Sequence, residues 1–250
     1  MNGLFSLIGK RAIVTGASGG LGRHFAQVLA KAGAEVVLAA RRLDVTEVAV
    51  ADLVMAGGRA SACQLDVCDP ASIGAVFGAE PFDIVVNNAG VAYDGPALET
   101  SLAEWHRVIE TDLTGVFQVA QSAARRMKNS GRGGSIVNIS SILGLRVAGN
   151  VAAYAVAKAG VLQLNRALAL EWARYGVRVN ALCPGYIETD LNRAFFSSKG
   201  GEAMIRRVPQ RRLGQMRELD GALLLLSSDA GSFMTGSEIA VDGGHLVSSL

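Results

Sequence analysis

Apolar positions along this 250-residue chain fall into two recurring patterns. Short runs rich in Val, Ile, Leu and Ala occupy residues 11–15, 35–39, 60–65 and 83–87, then 134–140, 177–182 and 238–241. Most are apolar on both faces, as strands must be when helices cover both sides of a parallel sheet. Between them, apolar residues return every three or four positions over residues 20–31, 46–56, 101–129 and 152–175, the spacing of amphipathic helices. Strand–helix alternation of this kind predicts right-handed βαβ units. The expected fold class is therefore α/β: a doubly wound, mostly parallel seven-stranded sheet with helices on both faces. No linker, low-complexity tract or internal repeat divides the chain, so one domain over residues 1–250 is expected. Residues 189–212 have weak periodicity and follow the carboxyl end of a strand, where ligands bind in such sheets; a substrate lid is expected there.

Composition narrows the function classes. Half of the residues are apolar and 18% are charged, a balance that predicts a globular chain throughout. The net charge of +2 is spread along the sequence, and the basic pairs Arg41-Arg42, Arg125-Arg126 and Arg211-Arg212 are short. With no basic run interleaved with aromatics, a nucleic-acid partner is not expected. No apolar run reaches the roughly 18 residues that would suggest a membrane span. Residues 1–9 lack the basic n-region and long apolar stretch of a signal peptide, so a cytoplasmic location is expected. The cysteines, Cys63, Cys68 and Cys183, form no CxxC pair, and neither a disulfide framework nor a metal site is implied.

Chemistry enters with the turn after the first strand, Thr15-Gly16-Ala17-Ser18-Gly19-Gly20-Leu21-Gly22, which leads into a helix. Glycines let the backbone turn tightly and approach a pyrophosphate, which the free N–H groups and dipole of a helix N-terminus favour. An ordinary strand-to-helix turn would also tolerate glycine; the strand before and the helix after are what the dinucleotide motif requires. At the end of the second strand, a carboxylate would bind the adenosine ribose and repel a 2′-phosphate, whereas a guanidinium does the reverse. Here Ala40 is followed by Arg41 and Arg42, and the nearest carboxylate is Asp44, which favours NADP(H) over NAD(H). The alternative is that both arginines only begin a solvated helix.

Further along, Tyr154-Ala-Val-Ala-Lys158 places a phenol and an ammonium four residues apart on one helix face. Ser140-Ser141 closes the fifth strand, Asn87-Asn88-Ala89-Gly90 the fourth, and Pro184-Gly185 the sixth. Each lies at the carboxyl end of a strand, where one cleft would collect them. In this order, and with Asp66, these motifs resemble those of the short-chain dehydrogenase/reductase family, in its branch of single-domain Rossmann-type enzymes with a TGxxxGxG turn. The resemblance runs from Gly9-Lys10 to Val241-Asp242-Gly243-Gly244.

The resemblance implies roles. Tyr154 would be the general acid in reduction and the base in oxidation, and Ser141 would hold the substrate oxygen. Lys158 would hydrogen-bond the nicotinamide ribose and favour the phenolate by its charge, because an unperturbed tyrosine near pKa 10 is a poor base. Gly16, Ser18, Gly20, Leu21 and Gly22 would cradle the pyrophosphate. Asp66 and Val67 would lie near the adenine, with Asp66 also suited to capping the turn that follows. Asn88 and Gly90, with Ala89 between them, would lie against the adenosine ribose. Pro184, Gly185, Ile187 and Thr189 would back the nicotinamide and impose B-face transfer. A homotetramer is the assembly the resemblance implies, with the apolar tail at 245–250 among its candidate contacts.

Two departures stand out. In Thr111-Asp112-Leu113-Thr114-Gly115-Val116-Phe117 the family usually has Asn where this chain has Asp112. The family residue holds a water that passes protons to the lysine; a carboxylate keeps the acceptor and loses the amide donor. Asp112 would thus raise the lysine's pKa and weaken its pull on Tyr154, and exchange for Asn is expected to preserve or improve activity. The segment 70–78 is also short, far from the expected cleft. The sequence therefore predicts an NADP(H)-dependent oxidoreductase interconverting a small ketone and secondary alcohol. Alternatives are a 3-oxoacyl thioester reductase, with Arg206, Arg207, Arg211 and Arg212 meeting an acidic carrier, and a non-catalytic nucleotide sensor.

Overall fold

The computed structural model describes residues 3–78, 80–189 and 192–248. Seven strands form a single sheet: β1 (Arg11–Thr15), β2 (Glu35–Ala40), β3 (Arg59–Gln64), β4 (Ile84–Asn87), β5 (Gly134–Ile139), β6 (Val177–Pro184) and β7 (Glu238–Val241). Their order is β3-β2-β1-β4-β5-β6-β7 and every neighbouring pair is parallel. Val14 faces Leu38 on one side and Val86 on the other, and Val86 faces Val137.

Alternation within each strand feeds two cores. Ala12, Val14, Val36 and Leu38 point to one face, packed by α1 (Gly20–Lys31), α2 (Leu43–Met55) and α9 (Asp220–Ser227). Ile13, Val37 and Ala39 point to the other, packed by α3 (Pro70–Phe77), α5 (Gly115–Ser130) and α6 (Ala152–Trp172). Phe25 and Leu29 of α1 and Met127 of α5 are fully buried at these two interfaces.

The expected long helix over 101–129 is divided. Its first part, α4 (Leu102–Ile109), starts at a capping box in which Ser101 and Glu104 satisfy each other's backbone N–H groups. A π-helical turn at Glu110–Thr114 then separates it from α5. Such a turn inserts an extra residue and re-aims side chains, and here it carries Asp112. The helix expected at 152–175 ends at Trp172, followed by a 3₁₀ turn (Ala173–Tyr175). The segment expected as a lid holds two short helices, α7 (Arg193–Phe196) and α8 (Lys199–Ile205). Asp190 and Leu191 of that segment, and Ser249 and Leu250 of the tail, lie outside the described residues. No described helix is long and apolar enough to cross a membrane.

The strand order reverses direction of growth between β1 and β4, so the loops after these two strands diverge to open a crevice at their carboxyl ends. The glycine-rich turn, the Asn88–Gly90 loop, Ser141 and the Pro184–Gly185 corner all lie at that end of the sheet.

Candidate active site

The turn between β1 and α1 is shaped for a backbone-lined anion. Gly16 has φ +66°, and a Cβ there would lie 2.8 Å from the Cα of Ala89. At Gly22 a Cβ would lie 2.4 Å from the Gly16 carbonyl, so only glycine permits this approach of helix to turn. By contrast, a Cβ at Gly19 or Gly20 would meet nothing within 4 Å, so the outer face of the turn is open. No side chain caps α1 and no acid sits in its first turn, which leaves its N-terminal N–H groups and positive dipole end to an incoming phosphate. Arg42 donates from Nη2 to the Ser18 hydroxyl at 3.3 Å, which sets a guanidinium beside the same turn. Those residues fit a dinucleotide whose pyrophosphate lies over α1.

Thr15, the first residue of the glycine-rich motif, is the hub that holds this crevice together, a role its sequence position did not show. Its Oγ1 accepts the N–H groups of Asn88 and Ala89, each at 3.0 Å. The Asn88 amide donates in return to the Thr15 carbonyl at 3.0 Å. The loops after β1 and β4 are thereby clamped into one wall. Asp66 accepts from the Cys68 N–H at 2.9 Å, so its carboxylate shapes the turn before α3. Val67 is buried against Gly115, where a Cβ would lie 2.9 Å from its methyl group.

Opposite lies a buried polar floor, built on α6. Lys158 is 4% exposed and Asp112 is fully buried. Their Nζ and Oδ2 atoms form an ion pair at 3.1 Å, with the Ile139 carbonyl accepting a second ammonium hydrogen at 3.2 Å. The other carboxylate oxygen of Asp112 accepts the Val91 N–H at 2.7 Å. Gly90 makes room for it, since a Cβ there would lie 2.8 Å from Oδ2. Burial alone pushes the Lys158 ammonium down; negative charge on Tyr154 and on Asp112 outweighs it, and the net direction is upward. Cys183, facing the lysine from β6, is pushed up to about 12 by burial and by Glu238, and stays a neutral thiol.

Tyr154 sits one turn before Lys158, whose Nζ lies 5.4 Å from the phenol ring's centre. Unlike the lysine, Tyr154 is partly open to solvent. Ser141 is 8% exposed, and its Oγ accepts the Leu143 N–H at 3.0 Å, which fixes the hydroxyl at the start of the loop leading to α6. Gly144 lets that loop lie on the helix backbone: a Cβ there would be 2.8 Å from the Lys158 carbonyl. Ser140 anchors the same contact by donating to that carbonyl at 3.0 Å.

A buried chain of amides fixes the height and rotation of α6. Asn87 donates to Asn138 at 2.9 Å, Asn138 to Asn165 at 3.4 Å, and Asn165 to the Ser237 carbonyl at 3.3 Å. On the far side, the Gly185 N–H donates to Val241 at 2.9 Å, and the Asn192 amide bridges Ile187 and Thr189. The structure thus brings Ser141, Tyr154, Lys158 and Asp112 together around the start of α6, with the Pro184–Thr189 segment bounding the cleft. Among the described residues there is no cluster of side chains that could hold a metal ion.

Comparisons with known proteins bear on the family and the fold. The family described as enoyl-(acyl carrier protein) reductase matches residues 16–245. The chain is 40% identical to gluconate 5-dehydrogenase of Gluconobacter oxydans, over 98% of each chain. It is 39% identical to 3-oxoacyl-(acyl-carrier-protein) reductase FabG of Escherichia coli, over 94% of this chain and 97% of that protein. Among solved structures, gluconate 5-dehydrogenase of Burkholderia cenocepacia in complex with NADP and tartrate is similar at a TM-score of 0.94, with 35% identity and 98% of each chain covered.

Proposed function

Because the chain belongs to the short-chain dehydrogenase/reductase family and is an oxidoreductase working between CH–OH and C=O with a nicotinamide cofactor, we propose that it is an NADP(H)-dependent enzyme interconverting a small ketone and a secondary alcohol. The observation that carries this reading is the Ser141–Tyr154–Lys158 cluster facing the open glycine-rich turn. When bound, the nicotinamide supplies or accepts the hydride. The Ser141 hydroxyl orients the carbonyl oxygen, and in reduction Tyr154 gives that oxygen its phenolic proton. Lys158 stays charged and stabilises the phenolate left behind. Because Tyr154 is partly open, it regains its proton from solvent at the cleft mouth.

Arg42 beside Ser18 supports the choice of NADP(H), since a guanidinium there meets a 2′-phosphate with charge-assisted hydrogen bonds. The substrate class we propose is a small hydroxy or oxo acid, on the strength of the gluconate dehydrogenases to which the chain is similar. A 3-oxoacyl thioester on a carrier is the weaker reading. Of the four lid arginines, Arg212 is held by Glu218 at 2.7 Å, Arg206 pairs with Glu202, and Arg211 donates to the Arg206 carbonyl. Three of the four guanidinia are thus engaged within the protein. A cytoplasmic homotetramer is proposed as the working state, with exposed Phe117 of α5 and Val156 and Leu170 of α6 as its contact surface.

Initial rates with NADPH and NADH over paired ketones, hydroxy acids and 3-oxoacyl thioesters test this reading. Faster reduction of a keto acid with NADPH is expected. Equal or faster rates with NADH would remove the role given to Arg42, and thioesters as the only substrates would displace the hydroxy-acid reading.

A further inference from the structure

The cleft wall beyond the nicotinamide-backing corner carries two arginines that no carboxylate among the described residues satisfies. Arg146 lies five residues after Ser141 on the same loop, and its backbone N–H donates to Ile142 at 2.9 Å. Its Nη1 donates to the His245 carbonyl and to the Ser248 hydroxyl, at 3.1 Å for the latter. No described residue accepts from its Nε or Nη2 or pairs with its charge. Arg207 likewise has no ion pair among the described residues. The chain just after it packs on the glycine corner before His245: the Gln210 N–H donates to the Gly243 carbonyl at 3.2 Å, and a Cβ at Gly244 would meet Pro209 at 3.2 Å.

Beside Arg146 sit Tyr186 and His245, their ring centres 5.1 Å apart, and the charge of Arg207 acts on both rings from further off. Tyr186 follows directly on Pro184-Gly185, and Phe196 of α7 packs on its other side at 5.6 Å. His245 is 7% exposed, yet its Nδ1 has no hydrogen-bond partner. Asp242, the carboxylate among the described residues that acts on it, is spent on the N–H groups of Gly244 and Leu246 at 2.8 and 2.7 Å. A buried polar atom without a partner, on the residue that a guanidinium with spare donors already touches, is a place prepared for an oxyanion. Burial holds the imidazole below its ordinary range, helped by Arg146 and Arg207 against Asp242, so it is neutral and can donate from Nδ1.

We propose that Arg146 and Arg207, with His245 and Tyr186, form the subsite that binds the carboxylate of a hydroxy- or oxo-acid substrate. Its place beside the corner that backs the nicotinamide suits a carboxylate on the substrate itself, a few bonds from the reacting carbon, more than the distant phosphate of a carrier arm. The inference rests on the proposed ketone–alcohol chemistry and adds to it the part of the substrate that is recognised.

The test compares each hydroxy acid with its uncharged amide, which keeps the reacting alcohol and loses the anion. Gluconate and gluconamide, 3-hydroxybutyrate and 3-hydroxybutyramide, and 4-hydroxycyclohexanecarboxylate and its carboxamide serve as pairs. In the unmodified enzyme the better acids should exceed their amides in kcat/KM by about 10-fold or more. Arg146→Gln should bring that ratio down to near one, mostly through KM of the acid, and Arg207→Gln should lower it by a smaller factor, while Arg146→Lys should recover part of it. NADPH binding followed by fluorescence shows that each variant is folded. A wild-type ratio near one on every pair, or equal losses on acid and amide in Arg146→Gln, would overturn the subsite. Turnover of amides and neutral alcohols alone would overturn it while leaving the ketone–alcohol reading intact; no turnover of any alcohol or ketone would bring both down.

Discussion

The cleft has a floor and a rim, and they are built on opposite principles. In the floor, around α6, the groups behind Tyr154 are buried and paired: Lys158 by Asp112 and Ile139, Asp112 by Lys158 and Val91, and the asparagines by one another. At the rim, Arg42, Arg146 and Arg207 reach solvent with donors to spare. Groups that move protons must be held within a fraction of an ångström, and burial with saturated hydrogen bonding does that. Those that choose a charged ligand gain from the opposite, since an unpaired guanidinium offers its full attraction to an incoming anion. The contrast predicts that floor substitutions damage the fold, whereas rim substitutions change affinity and leave stability alone.

Removing the lysine is the harshest probe of the floor. Lys158→Met leaves the Asp112 carboxylate buried without its counter-charge and is expected to cost about 3–5 kcal/mol in denaturant unfolding. A double variant with Asp112→Leu as well should be more stable than Lys158→Met alone. A loss that merely adds would mean the two groups do not act as a pair.

At the rim, Arg42→Ala should raise KM for NADPH by about 10–100-fold, the equivalent of about 1.5–3 kcal/mol for lost charge-assisted bonds, with KM for NADH and the unfolding midpoint unmoved. A matching rise with NADH would place Arg42 in general packing of the turn instead.

The mildest change sharpens the role of the carboxylate itself. Because Lys158 is held above the 10.5 of an ordinary lysine, its contribution to stability is complete below the unfolded value and fades as pH rises through the higher folded one. Asp112→Asn removes one of the causes of that elevation, so less stability should be lost as pH rises above the unfolded lysine value than in the wild-type protein. Identical profiles between pH 8 and 11 would deny the pair its electrostatic role. Turnover at neutral pH should be kept, because an Asn oxygen can still accept the Val91 N–H.

Much of this was legible in the sequence, for identifiable reasons. The strand at 11–15 and helix at 20–31 fall where the pattern put them, because the pattern and the glycine turn between them agree. The seven strands were visible because alternation and β-branched residues mark them even where their ends move by a residue or two. The π-helical turn at Glu110–Thr114 was not, since one extra residue inside 29 leaves the apolar spacing nearly unchanged. Helix α9 was missed for another reason: Leu223 to Leu226 is apolar all round, a run that says buried without saying helix. Asp112 stood out only against a family pattern, and its ion pair with Lys158 joins residues 46 positions apart, which no local spacing reveals. For Thr15, the asparagine chain and the Arg146–His245 cluster, the partners are likewise remote in sequence, and only folding brings them together.

The central claim is that Tyr154 delivers the proton while the floor around it merely holds still. Single-turnover reduction of a keto acid by NADPH-loaded Tyr154→Phe, with NADPH affinity measured alongside, tests it most directly. The account predicts a rate lower by about 10²–10⁴-fold with cofactor affinity unchanged. A rate within a few-fold of the unmodified enzyme would contradict it and assign the proton to another group.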